Sequence, residues 1–276
     1  TEIAKKGVIL GAPEANSEVV VANEIRVSYP GYNEILSGIA DPNIRSNARL
    51  PNKNVTVLEW LNAKPAYAGR IAAFCSWEIF NVIINEERSG LPVNAGWDDR
   101  LPGHSERAKT LNALNEELPR FWGAIRIDII THTGAIDALR VDKPRVLYVG
   151  YGETDDWGHD RRYDMYLDAA KRTDRHIREL WETAQSLPEY KDKTALIITT
   201  DHGRGDTGPD WTDHSPDVPG CERIWIAAMG AGIPADGLIV GGRYTQGQVA
   251  ATVAALLGED YNAAVSEAAP ALAIVQ

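Results

Sequence analysis

The chain has 276 residues, 44% of them hydrophobic, and a formal net charge of −11. Its length and apolar content suffice for one large buried core, and its acidity argues against a nucleic acid polymer or an anionic membrane as partner. The two cysteines, Cys75 and Cys221, form no metal-binding pattern and read as buried free thiols, and no apolar run approaches the ~20 residues of a membrane span.

In chain order, residues 1–7 read as the last turns of a helix ended by Gly7. The chain is therefore expected to begin inside a domain, truncated at its N-terminus and without a targeting segment. Apolar runs predict strands at 7–10, 19–27, 70–74, 145–151, 194–200 and 223–229. The near-continuous runs at 145–151 and 194–200 suit strands covered on both faces. Helical spacing marks 32–37, 55–62, 77–87, 105–118, 131–139, 160–186 and 246–257, with Asn54 and Ser105 as starts and Gly258 as a stop. The longest of these sets Tyr163, Leu167, Ala170, Ile177, Leu180 and Trp181 on one stripe, as if to cover a sheet. The alternation predicts an α/β fold with a central, mostly parallel sheet and helices on both faces. A polar helical stretch at 86–143, punctuated by Pro92, Pro102 and Pro119, is expected to be a small lid or insertion within a single domain spanning 1–276.

Three segments concentrate oxygen and nitrogen ligands near the ends of the strand-like runs. Asp155 and His159 straddle a strand-to-helix junction, with Gly158 allowing close backbone approach; Asp155 or Asp156 is equally suited to cap the following helix. Asp201 and His202 close the run 194–200, where open α/β sheets place their sites, and Asp213 and His214 follow in a loop rich in Gly, Asp and Pro. Carboxylates with imidazoles and no thiolates point to divalent ions, zinc first and manganese as runner-up. Upstream, Ser28 offers a hydroxyl ahead of a helical pattern. Arg45, Arg49, Arg161 and Arg162 are candidate phosphate contacts, Trp77, Trp97, Trp122 and Tyr151 candidate stacking surfaces, and Asn81 or Asn85 a candidate oxyanion donor. His104 and His132 fall in the expected lid, and His176 lies mid-helix.

Taken in order, these segments resemble the alkaline phosphatase superfamily, with its type I phosphodiesterase/nucleotide pyrophosphatases nearest and the cofactor-independent phosphomutases close by. Asp155-x-x-Gly158-His159 resembles the family's Asp-x-x-Gly-His segment, Asp201-His202-Gly203 its Asp-His-Gly strand end, and Thr212-Asp213-His214 the Thr-Asp-His of phosphopentomutases. Residues 249–258 resemble the helix that often closes the fold, and Ser28-Tyr29-Pro30 falls on the segment carrying the nucleophilic threonine. The resemblance implies that Asp155, His159 and His214 hold one ion, that Asp201 and His202 hold a second, and that Ser28 forms a phospho-intermediate during hydrolysis of a small-molecule phosphate ester.

The family's second ion also takes an aspartate from the first strand, and no such residue precedes Ser28. Three other readings stay open: a phosphomutase, a non-catalytic metal-binding relative, and a sulfatase. For the sulfatase, Ser28-x-Pro30 starts the required pattern, but Tyr32 stands where arginine is needed. Relatives of this kind are often exported, so a periplasmic or external location is expected.

Overall fold

A computed structural model describes residues 2–275. In chain order the elements are α1 (Glu2–Lys6), β1 (Gly7–Leu10), β2 (Glu18–Val20), α2 (Ser28–Ser37), α3 (Val57–Asn62), β3 (Ile71–Cys75), α4 (Phe80–Ile83), α5 (Glu86–Ser89), β4 (Val93–Ala95) and α6 (Glu106–Glu117). There follow α7 (Asp128–Arg140), β5 (Val146–Gly150), α8 (Glu153–His159), α9 (Tyr163–Ser186), β6 (Ala195–Thr199), β7 (Arg223–Ile224), β8 (Ile226–Gly230), β9 (Gly237–Leu238), β10 (Arg243–Thr245) and α10 (Gln248–Leu256). The expected α/β class is present, but the strands form three sheets rather than one.

The chain divides into two compact units. The first comprises residues 1–48, 52–57 and 192–276. It holds a mixed sheet in the order β6-β8-β1-β9 and a smaller one in the order β10-β2-β7. In the larger sheet β8 runs antiparallel to both β1 and β6, with Ile9 opposite Ala227 and Ile198 also opposite Ala227. Val8, Leu10, Ile226 and Ala228 are buried there, and the apolar, alanine-rich α10 packs against α2. The strand expected at 19–27 ends at Val20, because the chain turns away into a loop held by a buried carboxylate described below.

The second unit comprises residues 49–51 and 58–191. Its sheet, β4-β3-β5, is wholly parallel, with Phe74 opposite Val149 and Asn94. Phe74, Trp97, Leu101, Ala108, Ile130, Ala135 and Ala138 form its core. The 86–143 stretch, expected as a lid, supplies strand β4, helices α6 and α7 and most of that core. The helix expected at 77–87 breaks into α4 and α5 at Asn85, which adopts φ 54°. The Asn85 side chain caps α5 by accepting from Arg88 N–H through its oxygen.

The long helix α9 buries only part of the expected stripe: Leu180 packs against the core of this unit, and Ile177 and Trp181 are half-buried. Tyr163 and Leu167 are exposed, whereas Ala169, His176, Thr183 and Ala184 are buried. Small and polar residues line the contact because α7 packs against α9 and His132 of α7 stacks on His176 with ring centroids 4.1 Å apart. Cys75 and Cys221 are free, buried thiols, and among the described residues no helix is long and apolar enough to cross a membrane.

Candidate metal centre

In the first unit, two close backbone contacts build the site. Helix α2 approaches the end of β6 so tightly at Gly31 that a Cβ there would sit 2.3 Å from the Asp201 carbonyl oxygen. Likewise a Cβ on Gly203 would lie 2.3 Å from the Arg223 carbonyl oxygen, and Gly203 N–H donates to Cys221 O at 2.8 Å. These glycines let the first residue of α2, Ser28, meet the turn that follows β6. The Ser28 hydroxyl lies 3.2 Å from His202 Nε2, and Asp201 Oδ2 lies 3.4 Å from the same nitrogen.

The other ring nitrogen of His202, Nδ1, is 2.9 Å from the Gly203 carbonyl oxygen. A carbonyl only accepts, so the hydrogen of the neutral ring sits on Nδ1 and Nε2 presents its lone pair. This arrangement is not a serine–histidine–aspartate triad, in which the carboxylate holds the nitrogen opposite the serine. Here hydroxyl and carboxylate both approach the same imidazole nitrogen, Nε2. Ligands at 2.0–2.1 Å from a tetrahedral zinc stand about 3.3 Å from one another, which the two spacings match.

His214 is fixed in the same manner. Its Nδ1 donates to the Arg26 carbonyl at 2.9 Å, and its backbone N–H donates to Asp213 Oδ1 at 2.8 Å. Arg26 holds its carbonyl there because it adopts φ 54°, with its N–H bound to Asn23 Oδ1 at 2.9 Å. Behind Asn23 lies Glu34, 1% exposed, whose carboxylate accepts from Ala22 N–H, Asn23 N–H, Asn23 Nδ2 and Gln246 Nε2. The His202 and His214 rings stack 3.6 Å apart at 19°. Ligand nitrogens of the two rings lie within 4.8 Å of each other, close enough to share in holding a metal ion.

The second unit carries Asp155 and His159. The sequence expectation placed a helix start near His159, but α8 begins at Glu153 and contains both residues. They are therefore an i,i+4 pair on one helical face, with Asp155 Oδ2 3.3 Å from His159 Nε2. That spacing again fits two ligands of one zinc-like ion. His159 is the more open, with 42% of its side chain exposed. Beside it, burial and the Asp155 charge push the Asp156 carboxyl up to about 7, and its Oδ2 is buried without a partner.

Several supporting residues escaped the sequence reading. Asp128, Glu153 and Arg172 surround the start of α8, and Asn47 accepts from Tyr29 N–H at 2.8 Å beside Ser28. Some candidates take other roles. Trp97 is buried and Trp122 donates to Asp160. Arg49 pairs with Glu78 and Arg162 with Asp164. His132 is buried between Tyr151 and Glu179, and His104 pairs with Asp142.

Comparison with solved structures places this geometry in a known fold. Wild-type alkaline phosphatase PafA matches at a TM-score of 0.64 and 11% identity, over 94% of this chain and 91% of its own. The alkaline phosphatase from the Antarctic bacterium TAB5 matches at 0.53 and 11%, over 94% and 90%. The protein Ps i-CgsB, solved in complex with k-i-k-neocarrahexaose, matches at 0.62 and 15%, over 98% of this chain and 68% of its own. These likenesses show an alkaline-phosphatase-like α/β fold. A comparison with curated protein sequences finds no match. Residues 130–258, which include Asp155, His159, Asp201, His202 and His214, match the Metalloenzyme superfamily.

Proposed function

We propose that the protein is a metal-dependent hydrolase of small-molecule phosphate esters, with Ser28 as nucleophile and two divalent ions, zinc in preference to manganese. The observation that carries this reading is the approach of Ser28 Oγ and Asp201 Oδ2 to His202 Nε2 at ligand spacing. The His214 ring, stacked on His202 with centroids 3.6 Å apart, brings a second imidazole to this place. In this reading Asp201 and His202, with His214 beside them, hold an ion next to Ser28, and Asp155 and His159 are the ligand pair of the second unit.

When bound, the ions favour the serine alkoxide and neutralise the phosphoryl oxygens. The protein's own residues do the rest. Helix α2 aims Ser28, whose Oγ bonds to phosphorus as the ester oxygen leaves, and water then cleaves the phosphoserine. The Asn47 Oδ1 bond to Tyr29 N–H holds its amide nitrogen at the same helix end, where it serves as a donor to a phosphoryl oxygen. The carbonyls of Gly203 and Arg26 keep both imidazoles in the tautomer that ligates.

The test is turnover of p-nitrophenyl phosphate and bis-p-nitrophenyl phosphate by zinc- or manganese-loaded protein, beside Ser28→Ala. Release of p-nitrophenol with stoichiometric phosphate, lost in the variant, supports hydrolysis over transfer to a second position. Full turnover by Ser28→Ala, or no metal uptake on loading, overturns the reading.

A further inference from the structure

Helix α8 has seven residues, too few to hold its shape or place without help from its surroundings. That help comes from a reciprocal pair of buried carboxylates. Asp128, the first residue of α7, accepts at the N-terminus of α8 from Gly152 N–H at 2.8 Å and Glu153 N–H at 3.2 Å. Glu153, the first residue of α8, returns the arrangement by accepting from Asp128 N–H at 2.9 Å. Each carboxylate therefore satisfies N–H groups that the other helix leaves without an intrahelical partner.

The pair is tied to the rest of its unit on both sides. Ser76, just after β3, donates to Asp128 Oδ1 at 2.6 Å and meets Thr131 Oγ1 at 2.9 Å. Arg172 of α9 pairs with the second Glu153 oxygen. Asp128 is 3% exposed and Glu153 7%. Burial and the Glu153 charge push Asp128 up to about 7, which measures how unfavourable the placement is. A neutral serine or threonine would cap either helix without that cost. What two interlocked carboxylates add is a fixed orientation of α8 against the ends of β3 and β5, and Asp155 follows Glu153 by only two residues.

We propose that Asp128 and Glu153 are positioning residues for the Asp155/His159 ion site. Their interlock sets the rotation and height of α8, so that the Asp155 carboxylate and the His159 imidazole stand at ligand spacing before an ion arrives. The inference rests on the metal-site reading above, and the experiment separates the two.

Cobalt(II) takes the same ligands as zinc and reports its geometry through visible absorption. The protein is titrated with cobalt(II), alongside His159→Ala, Asp128→Asn and Ser76→Ala, with circular dichroism and a melting curve for each. Wild type is expected to bind two cobalt ions, and His159→Ala to lose one absorption component. Asp128→Asn removes the charge and one acceptor at the start of α8. It is expected to weaken that same component's binding by about 10- to 100-fold and shift its bands, leaving the His202-dependent component unchanged. A merely destabilised protein would lose both components together without a band shift. Ser76→Ala leaves both carboxylates in place and carries the test if Asp128→Asn does not fold. A folded Asp128→Asn or Ser76→Ala with wild-type affinity and spectrum overturns the positioning role alone. Absence of cobalt binding by wild type overturns the metal reading, and the inference with it.

Discussion

Each unit supplies a carboxylate–imidazole pair with donor atoms 3.3–3.4 Å apart, but the two are held by different means. In the first unit the backbone does the holding. His202 and His214 are anchored by carbonyls, Ser28 heads a helix seated against Asp201 through Gly31, and both histidines are 7% exposed. In the second unit the pair rides on one short helix, and His159 is open to solvent. The contrast teaches where each site is vulnerable. A backbone-anchored site fails when packing is disturbed, whereas a helix-borne site fails when its caps are removed.

The largest effect is expected at the nucleophile. Ser28→Ala should lower phosphate-ester turnover by at least ~10³-fold while leaving most of the bound metal in place, as steady-state kinetics and metal content would show. Retained turnover would remove the first unit's claim to the chemistry. Next come the ligands. Elemental analysis after zinc loading should find two ions per chain in the wild type and one in either His202→Ala or His159→Ala. His202→Ala should be the more damaging to activity, because its ion is the one next to Ser28. Equal activity losses would blur the comparison, and no loss of metal from either variant would break it.

Packing provides the third test. Gly31→Ala places a methyl group 2.3 Å from the Asp201 carbonyl oxygen, so α2 must move off the end of β6. The expected cost is about 1–3 kcal/mol, read as a lower melting temperature, with a fall in activity as Ser28 leaves His202. Gly123→Ala, where a Cβ meets nothing within 4 Å, is the control and should change neither. If Gly31→Ala melts and turns over like wild type, the close approach is not what sets the serine.

The candidate residues stood out in the sequence because their segments punctuate near-continuous apolar runs. Asp201 and His202 follow β6 after one residue, and the α8 segment follows β5. What holds those ligands was not legible. Glu34 reads as an ordinary helix charge, yet it is buried and gathers the 22–23 loop and Gln246. Asp128 lies 25 residues from the helix start that it caps, so no local pattern could move the start of α8 from His159 back to Glu153. The sheets show the same limit. The apolar runs expected as central strands are β5 and β6, each the outer strand of its own sheet within its unit and half-buried there. Hydrophobic content reports that a strand is covered, not which neighbour covers it.

The smallest effect separates the second unit's stability from its chemistry. Burial, with a contribution from His132, pushes His176 down to about 4 from an ordinary value near 6.5. Between those values the unfolded chain binds a proton at this residue that the folded chain does not. Its contribution therefore favours folding less as the pH falls through that window. Asp128 and Asp156, both pushed up to about 7, act in the opposite sense: folded, they hold protons that the unfolded chain releases. The whole-protein melting curve sums these terms, so the informative quantity is a difference. His176→Phe keeps a ring against His132 and removes the titrating group. Between pH 7 and pH 5 its melting temperature should fall less than that of wild type, by on the order of 2 °C. Arg107, Arg175 and Glu179 face the same pair and remain in both proteins, so they cancel in the comparison. Parallel curves would show that holding His176 neutral carries no cost to the fold as the pH falls, and would overturn this contribution.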